Sequence, residues 1–193
     1  MRRIGVLALQ GDFAEHLRAL ARCGVEAVEV RRPGELDGVA GLILPGGEST
    51  TMGMLMERFG LLERIRTRAH QGMAVWGTCA GMILLAKEIV GSQQPRLGLM
   101  DITVERNAYG RQIESFEAPL AVKRIEGGPI TGVFIRAPVI RAVGPQCEVL
   151  AEHGKQPVLV QQGGWLAGSF HPELTDDLRL HEYFAGLAGG HRA

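Results

Sequence analysis

The chain has 193 residues, 46% of them hydrophobic and 22% charged, with 21 Lys plus Arg set against 21 Asp plus Glu. That length suits one hydrophobic core, expected to span residues 1–193 as a single domain, and the near-average composition excludes long disordered or collagen-like tracts. A formal charge of zero leaves no global field to draw the protein to nucleic acid or an anionic membrane, so neither is expected as a partner.

Residues 3–9 are a short apolar run broken at once by Gln10, Gly11 and Asp12, which predicts a first strand rather than a signal peptide. Asp12 is then a candidate N-cap for a helix whose apolar positions are Phe13, Leu17 and Leu20. Residues 25–30 and 39–44 predict two further strands, separated by a turn at Pro33-Gly34. The second is continuously apolar and ends in Pro45-Gly46-Gly47, as a strand buried on both faces does. Helix formers dominate residues 52–69, interrupted by Gly60, and residues 73–77 predict another buried strand leading to Cys79. Residues 80–89 predict a helix. Strands alternating with helices imply an α/β fold: three layers, a central, mainly parallel (mixed) sheet, helices on both faces.

The second half predicts short strands at residues 102–106, 117–125, 132–137, 148–152, 158–161 and 165–170, with Gly, Pro and Asn in the turns. These should flank the parallel core in antiparallel or mixed pairing, before a closing helix over residues 176–187. No stretch approaches the ~18 consecutive apolar residues of a membrane helix. Cys23, Cys79 and Cys147 form no CxxC pair, so neither a disulfide framework nor a zinc site is expected, and a reducing cytoplasmic setting fits best.

Gly77-Thr78-Cys79-Ala80-Gly81 lies between a strand and a helix, the context of a sharp elbow that presents a nucleophile. Glycine on each side removes side chains that would collide with the neighbouring elements. The sulfur then sits at a helix N-terminus, where unpaired N–H groups favour negative charge. Ala80 N–H is positioned to donate to an oxyanion, and Gly47 N–H, from the loop after the preceding strand, is the candidate second donor at the same carboxyl edge. A thiol nucleophile needs a base, and His171-Pro172-Glu173 offers an imidazole with a carboxylate two residues on. An extended segment would turn both to one side, so Glu173 could orient His171. Cys23 and Cys147 lack this context and are expected to be inert. His16, His70, His153, His181 and His191 are expected at the surface or in structural roles.

The elbow together with the late His-Pro-Glu segment resembles the class I (triad) glutamine amidotransferases. Two further segments, residues 7–13 (Leu-Ala-Leu-Gln-Gly-Asp-Phe) and residues 45–50 (Pro-Gly-Gly-Glu-Ser-Thr), narrow the resemblance to the PdxT (Pdx2) family, the glutaminase subunits of pyridoxal 5′-phosphate synthase. The resemblance covers essentially the whole chain. It implies a flavodoxin-like amidotransferase fold and hydrolysis of L-glutamine to glutamate and ammonia through Cys79, His171 and Glu173. The ammonia would pass to a PdxS-type synthase subunit, in a large assembly of a synthase dodecamer decorated by glutaminase subunits. It further implies that L-glutamine is held by Gly47, Glu48, Ser49, Arg106, Ile135 and Arg136, and it puts Gln10 at the subunit interface or in the oxyanion loop. No cofactor is expected: the chain has neither a Walker-type phosphate loop nor a cofactor-lysine signature.

Three rivals stand beside this reading. A triad amidotransferase subunit serving histidine or purine synthesis would share the motifs. A cysteine peptidase of the kind with histidine directly after the nucleophile would not, because Ala80 occupies that position. A regulatory subunit that had lost activity would be expected to lack Cys79, His171 or Glu173, and all three are present.

Overall fold

Seven strands build the central sheet of the computed structural model, which describes residues 3–106 and 115–190. In chain order the elements are β1 (Arg3–Leu7), α1 (Phe13–Arg22), β2 (Glu26–Val30), a 3-10 helix (Pro33–Gly38), β3 (Gly41–Leu44), α2 (Ser49–Arg58), α3 (Leu61–His70), β4 (Ala74–Thr78) and α4 (Ala80–Leu85). Then come β5 (Ala86–Ile89), β6 (Met100–Glu105), β7 (Phe116–Leu120), β8 (Ile130–Phe134), β9 (Val139–Val143), β10 (Glu148–His153), β11 (Gln156–Gln162), β12 (Trp165–Gly168), a 3-10 turn (Pro172–Leu174) and α5 (Arg179–Ala188). His191 lies outside the described residues.

The sheet order is β10-β11-β12-β4-β3-β1-β2. The five strands from β12 to β2 are parallel, and β10 and β11 add an antiparallel edge. Every residue of β3 and β4 is buried, as strands covered on both faces require. Alternate residues serve two cores. Leu42, Leu44 and Val75 face one with α2, α3 and α4, whereas Ile43, Ala74 and Trp76 face the other with α1 and α5. The fold is thus the three-layer α/β arrangement with a mixed central sheet. Two small sheets, β5-β6-β9 and β7-β8, lie outside it.

Local expectations fail in several places. The helix after Cys79 stops at Leu85, not residue 89, and residues 86–89 pair in parallel with β6. The reason is tertiary: Leu84 C=O accepts from Leu97 N–H at 2.7 Å, so the backbone after β5 supplies the donor that a further helical turn would have provided. β9 is absent from the predicted strands, and it pairs antiparallel with β6. The turn at Pro33-Gly34 is a six-residue 3-10 helix. Asp12 occupies the N-cap position of α1 but makes no side-chain cap, because its carboxylate turns towards His171.

Candidate functional site

The loops after β1, β3, β4 and β12 all leave the carboxyl edge of the parallel strands, where this class of sheet builds its sites. At the end of β4, Cys79 has φ 49° and ψ −105°, a conformation that L-residues rarely hold. Neighbouring glycines permit it. A Cβ at Gly77 would overlap the backbone of Gly81, and one at Gly81 would overlap the carbonyl of Leu44. Cys79 N–H donates to Gly168 C=O at 2.8 Å, which ties the elbow to β12.

His171 follows β12, and its N–H donates to Val133 C=O at 2.8 Å. Its Nδ1 stands 2.7 Å from Glu173 Oε1, with both side chains buried. The extended geometry expected for residues 171–173 is not found. Pro172–Leu174 is a 3-10 turn, and this turn rather than strand alternation brings the carboxylate back onto the imidazole. Burial opposes charge on His171, yet hydrogen bonding to Cys79 and Glu173, with the charge of both, raises its pKa to about 10. Burial pushes Glu173 up against the pull of His171. The histidine direction is the one that geometry supports, since Nδ1–H aims at a carboxylate oxygen, and it keeps the imidazolium–carboxylate pair intact at neutral pH.

A cavity of 530 Å³ opens over this edge. Cys79, Ala80 and His171 line it together with Gln10, Gly47, Glu48, Ser49, Arg106, Ile135 and Arg136. Glu173 stands behind the wall. Cys79 Sγ lies 3.9 Å from Ile135 C=O, and Arg136 has φ 43°, a second strained non-glycine position at the same mouth. A wider depression of 740 Å³ opens at the opposite, amino end of β4 and β12, beside Met73, Trp165, Arg124 and Glu148, and contains none of the elbow residues.

Several candidates are also held by contacts within the protein. Glu48 caps α2, accepting from Thr50 N–H at 3.3 Å and Thr51 N–H at 2.7 Å. Burial would raise its pKa, but those donors and the Arg106 charge hold it below the usual value. Arg106 donates to Thr50 Oγ1 at 2.9 Å and to Gln94 Oε1, and lies 3.6 Å from Glu48. Gln94, unmarked in the sequence, therefore fixes the guanidinium. Gln10 Oε1 accepts from Glu48 N–H at 2.8 Å, and Gly46 C=O accepts from Asp12 N–H at 3.0 Å. The loops after β1 and β3 thus hold each other beside Gly47, whose φ of 154° suits glycine.

Asp12, His171 and Glu173 offer three ligand atoms within 4.8 Å of one another. The Nδ1 atom is already engaged by Glu173, so a hydrogen-bonded pair describes the group better than a cation cage. Cys23 and Cys147 are free, and burial raises both thiols above their ordinary pKa. His70 and His153 are exposed, whereas His16 and His181 are fully buried behind Glu173.

A model of the SNO glutamine amidotransferase family matches residues 6–187. The chain belongs to that family. It is 60% identical over 188 residues to the "Pyridoxal 5'-phosphate synthase subunit PdxT" of Thermus thermophilus, covering 96% of this chain and 97% of the relative. The protein of the same name from Desulforamulus reducens is 58% identical over 181 residues, 94% of this chain and 96% of the relative. A crystal structure described as a glutamine amidotransferase superposes with a TM-score of 0.93 at 58% identity, over 96% of this chain and 98% of that one.

Proposed function

We propose that this chain is a glutaminase that hydrolyses L-glutamine to L-glutamate and ammonia and supplies the ammonia to a PdxS-type synthase subunit making pyridoxal 5′-phosphate (vitamin B6). The observation that carries the chemistry is one cavity holding a cysteine on a strained elbow and a histidine backed by a buried carboxylate 2.7 Å away. The names of the relatives support the pathway.

In this reading the Cys79 thiolate, paired with the protonated His171, attacks the side-chain carboxamide carbon of glutamine, and N–H groups of Gly47 and Ala80 receive the oxyanion. The tetrahedral adduct collapses, His171 protonates the departing nitrogen, and ammonia leaves a γ-glutamyl thioester. Water, deprotonated by His171, attacks the thioester carbon and releases glutamate, which returns the Cys79 thiolate beside the protonated His171. Glu173 holds the imidazole throughout. Arg106, Arg136 and the backbone N–H of Ser49 suit the substrate carboxylate, while Glu48 and the Ile135 carbonyl suit its ammonium.

Loss of one oxyanion donor typically costs a factor of about 10² to 10³ in rate, so the setting of the Gly46–Gly47 peptide is a control point. Gln10 and Asp12 touch that loop from the neighbouring one, and a synthase docked at Gln10 would set it. Assembly on a synthase dodecamer, one domain over residues 1–193 and a cytoplasmic setting belong to the same proposal. Three unpaired cysteines support the last. No helix among the described residues is long and apolar enough to cross a membrane.

The test is glutamate release from glutamine by wild type and Cys79→Ala, each with and without a PdxS-type synthase. Wild-type turnover should rise sharply on mixing and Cys79→Ala should be inactive in both arms. Residual turnover in Cys79→Ala would remove the nucleophile, and equal wild-type rates with and without synthase would remove the partner control.

A further inference from the structure

Among the described residues, four buried polar side-chain atoms lack a hydrogen-bond partner, and three of them cluster behind the elbow: Glu173 Oε2, His181 Nδ1 and Trp76 Nε1. Such orphans are rare in ordinary cores, so their concentration beside a reacting pair calls for a physical reason. His16 stands at the centre of the cluster. It lies on α1, has 0% exposure, and packs edge-on against Trp76 with ring centroids 5.7 Å apart. Its Nε2 is 3.1 Å from Thr78 Oγ1 and 3.4 Å from Glu173 Oε2, while its Nδ1 is 3.0 Å from His181 Nε2.

The surroundings decide which ring nitrogen carries the proton. With the proton on Nδ1, the His16 Nε2 lone pair would face a carboxylate oxygen, and His181 would be forced to carry its own proton on Nδ1, a buried N–H with no acceptor. With the proton on Nε2, His181 Nε2–H donates to His16 Nδ1, and His16 offers its N–H to Thr78 and Glu173. Of the two rings, only the unprotonated Nδ1 of His181 then lacks a partner, while Trp76 Nε1 stays unpaired with either tautomer. Burial and the two neighbouring histidines hold His16 well below its ordinary pKa, and burial holds His181 down to about 4. Both rings are therefore neutral dipoles at physiological pH.

We propose that His16, locked in its Nε2–H tautomer by His181, is a positioning residue for Glu173. It shares that proton between Thr78 Oγ1 and Glu173 Oε2, so that the other oxygen, Oε1, stays on His171 Nδ1. The relay runs from α5 through α1 to the 3-10 turn, and so ties the carboxylate to two helices on one face of the sheet. This rests on the glutaminase reading, but it concerns atoms that touch neither glutamine nor the thiol.

Three variants of the full chain test it: His16→Leu, His16→Gln and His181→Phe. Glutamine turnover is measured with the synthase present, and the His171 imidazole titration is followed by NMR on the chain alone. His16→Leu should lower kcat about 10- to 100-fold, the range usual when an outer orienting partner is lost, with KM for glutamine little changed and the His171 midpoint lowered. His16→Gln, which keeps a donor towards Glu173 and an acceptor towards His181, should restore most of both. His181→Phe keeps ring volume, removes the donor that sets the tautomer, and should shift both readouts in the same direction; it serves if His16→Leu does not fold. A folded His16→Leu with wild-type kcat and His171 midpoint would overturn the proposal, as would Gln performing no better than Leu. Wild type that releases no glutamate would instead overturn the glutaminase reading, and the titration would still report on His16.

Discussion

Cys79 holds its left-handed backbone because glycines on both sides leave no Cβ to obstruct it, and each glycine faces a backbone group rather than a yielding side chain. Overpacking of that kind typically costs about 1–3 kcal/mol. Gly81→Ala should therefore lower the melting temperature and abolish turnover together, measured by calorimetry and glutamate release. The histidine makes a separate prediction. Its pKa of about 10 means that the folded chain holds this proton more tightly than the unfolded chain, where histidine titrates near ~6.5. The resulting stabilisation is complete below about pH 6.5 and is lost as pH rises through about 10. Urea midpoints of wild type and His171→Asn should accordingly converge between pH 7 and pH 10. NMR should also show the His171 midpoint lower in Glu173→Gln than in wild type. At this scale much was legible: the elbow, the His-Pro-Glu segment and the Gly-Gly loop stand out as short strings. His16 did not, although it sits at helical spacing between Phe13 and Leu20. A histidine on an apolar stripe gives no sign of which buried carboxylate it will meet.

Loops and short elements are where local rules lost to pairing. Residues 80–89 carry a helix-compatible apolar pattern, and only the register of β5 against β6 turns the last four into a strand. Glu173 reaches His171 through a 3-10 turn, so the conclusion drawn from an extended segment survives on different geometry. The contact between the loops after β1 and β3 is of the same nature. A Cβ at Gly11 would overlap the Gly46 carbonyl, whereas the interior layers are remote from it. Gly11→Ala should therefore reduce kcat/KM for glutamine at least tenfold, on the scale of a weakened oxyanion donor, while the melting temperature falls less than in Gly81→Ala. Glutamine kinetics paired with calorimetry on the two variants would check this. A Gly11→Ala protein with full activity would separate the loop contact from the setting of Gly47.

Across the whole molecule, one sheet divides two cores, with Met56 in one and Phe184 in the other, both fully buried. Truncating such side chains typically costs about 2–5 kcal/mol for Met→Ala and about 3–5 kcal/mol for Phe→Ala. Because the sheet stands between them, Met56→Ala and Phe184→Ala should add to within about 0.5 kcal/mol in the double variant. Denaturant unfolding should remain a single transition, as the proposed single domain requires. Separate transitions for the two layers would contradict the single domain. What the sequence determined by itself is carried by short-range patterns: the strand–helix alternation, the buried runs and the glycine-flanked cysteine each depend on neighbours within a few residues. What only the tertiary structure decided depends on partners far apart in the chain. The approach of His171 to Asp12, the Gln94 anchor for Arg106, the β5-β6-β9 sheet and the His16–His181 support of Glu173 all arise from chain packing, which fixes distances that no local pattern encodes.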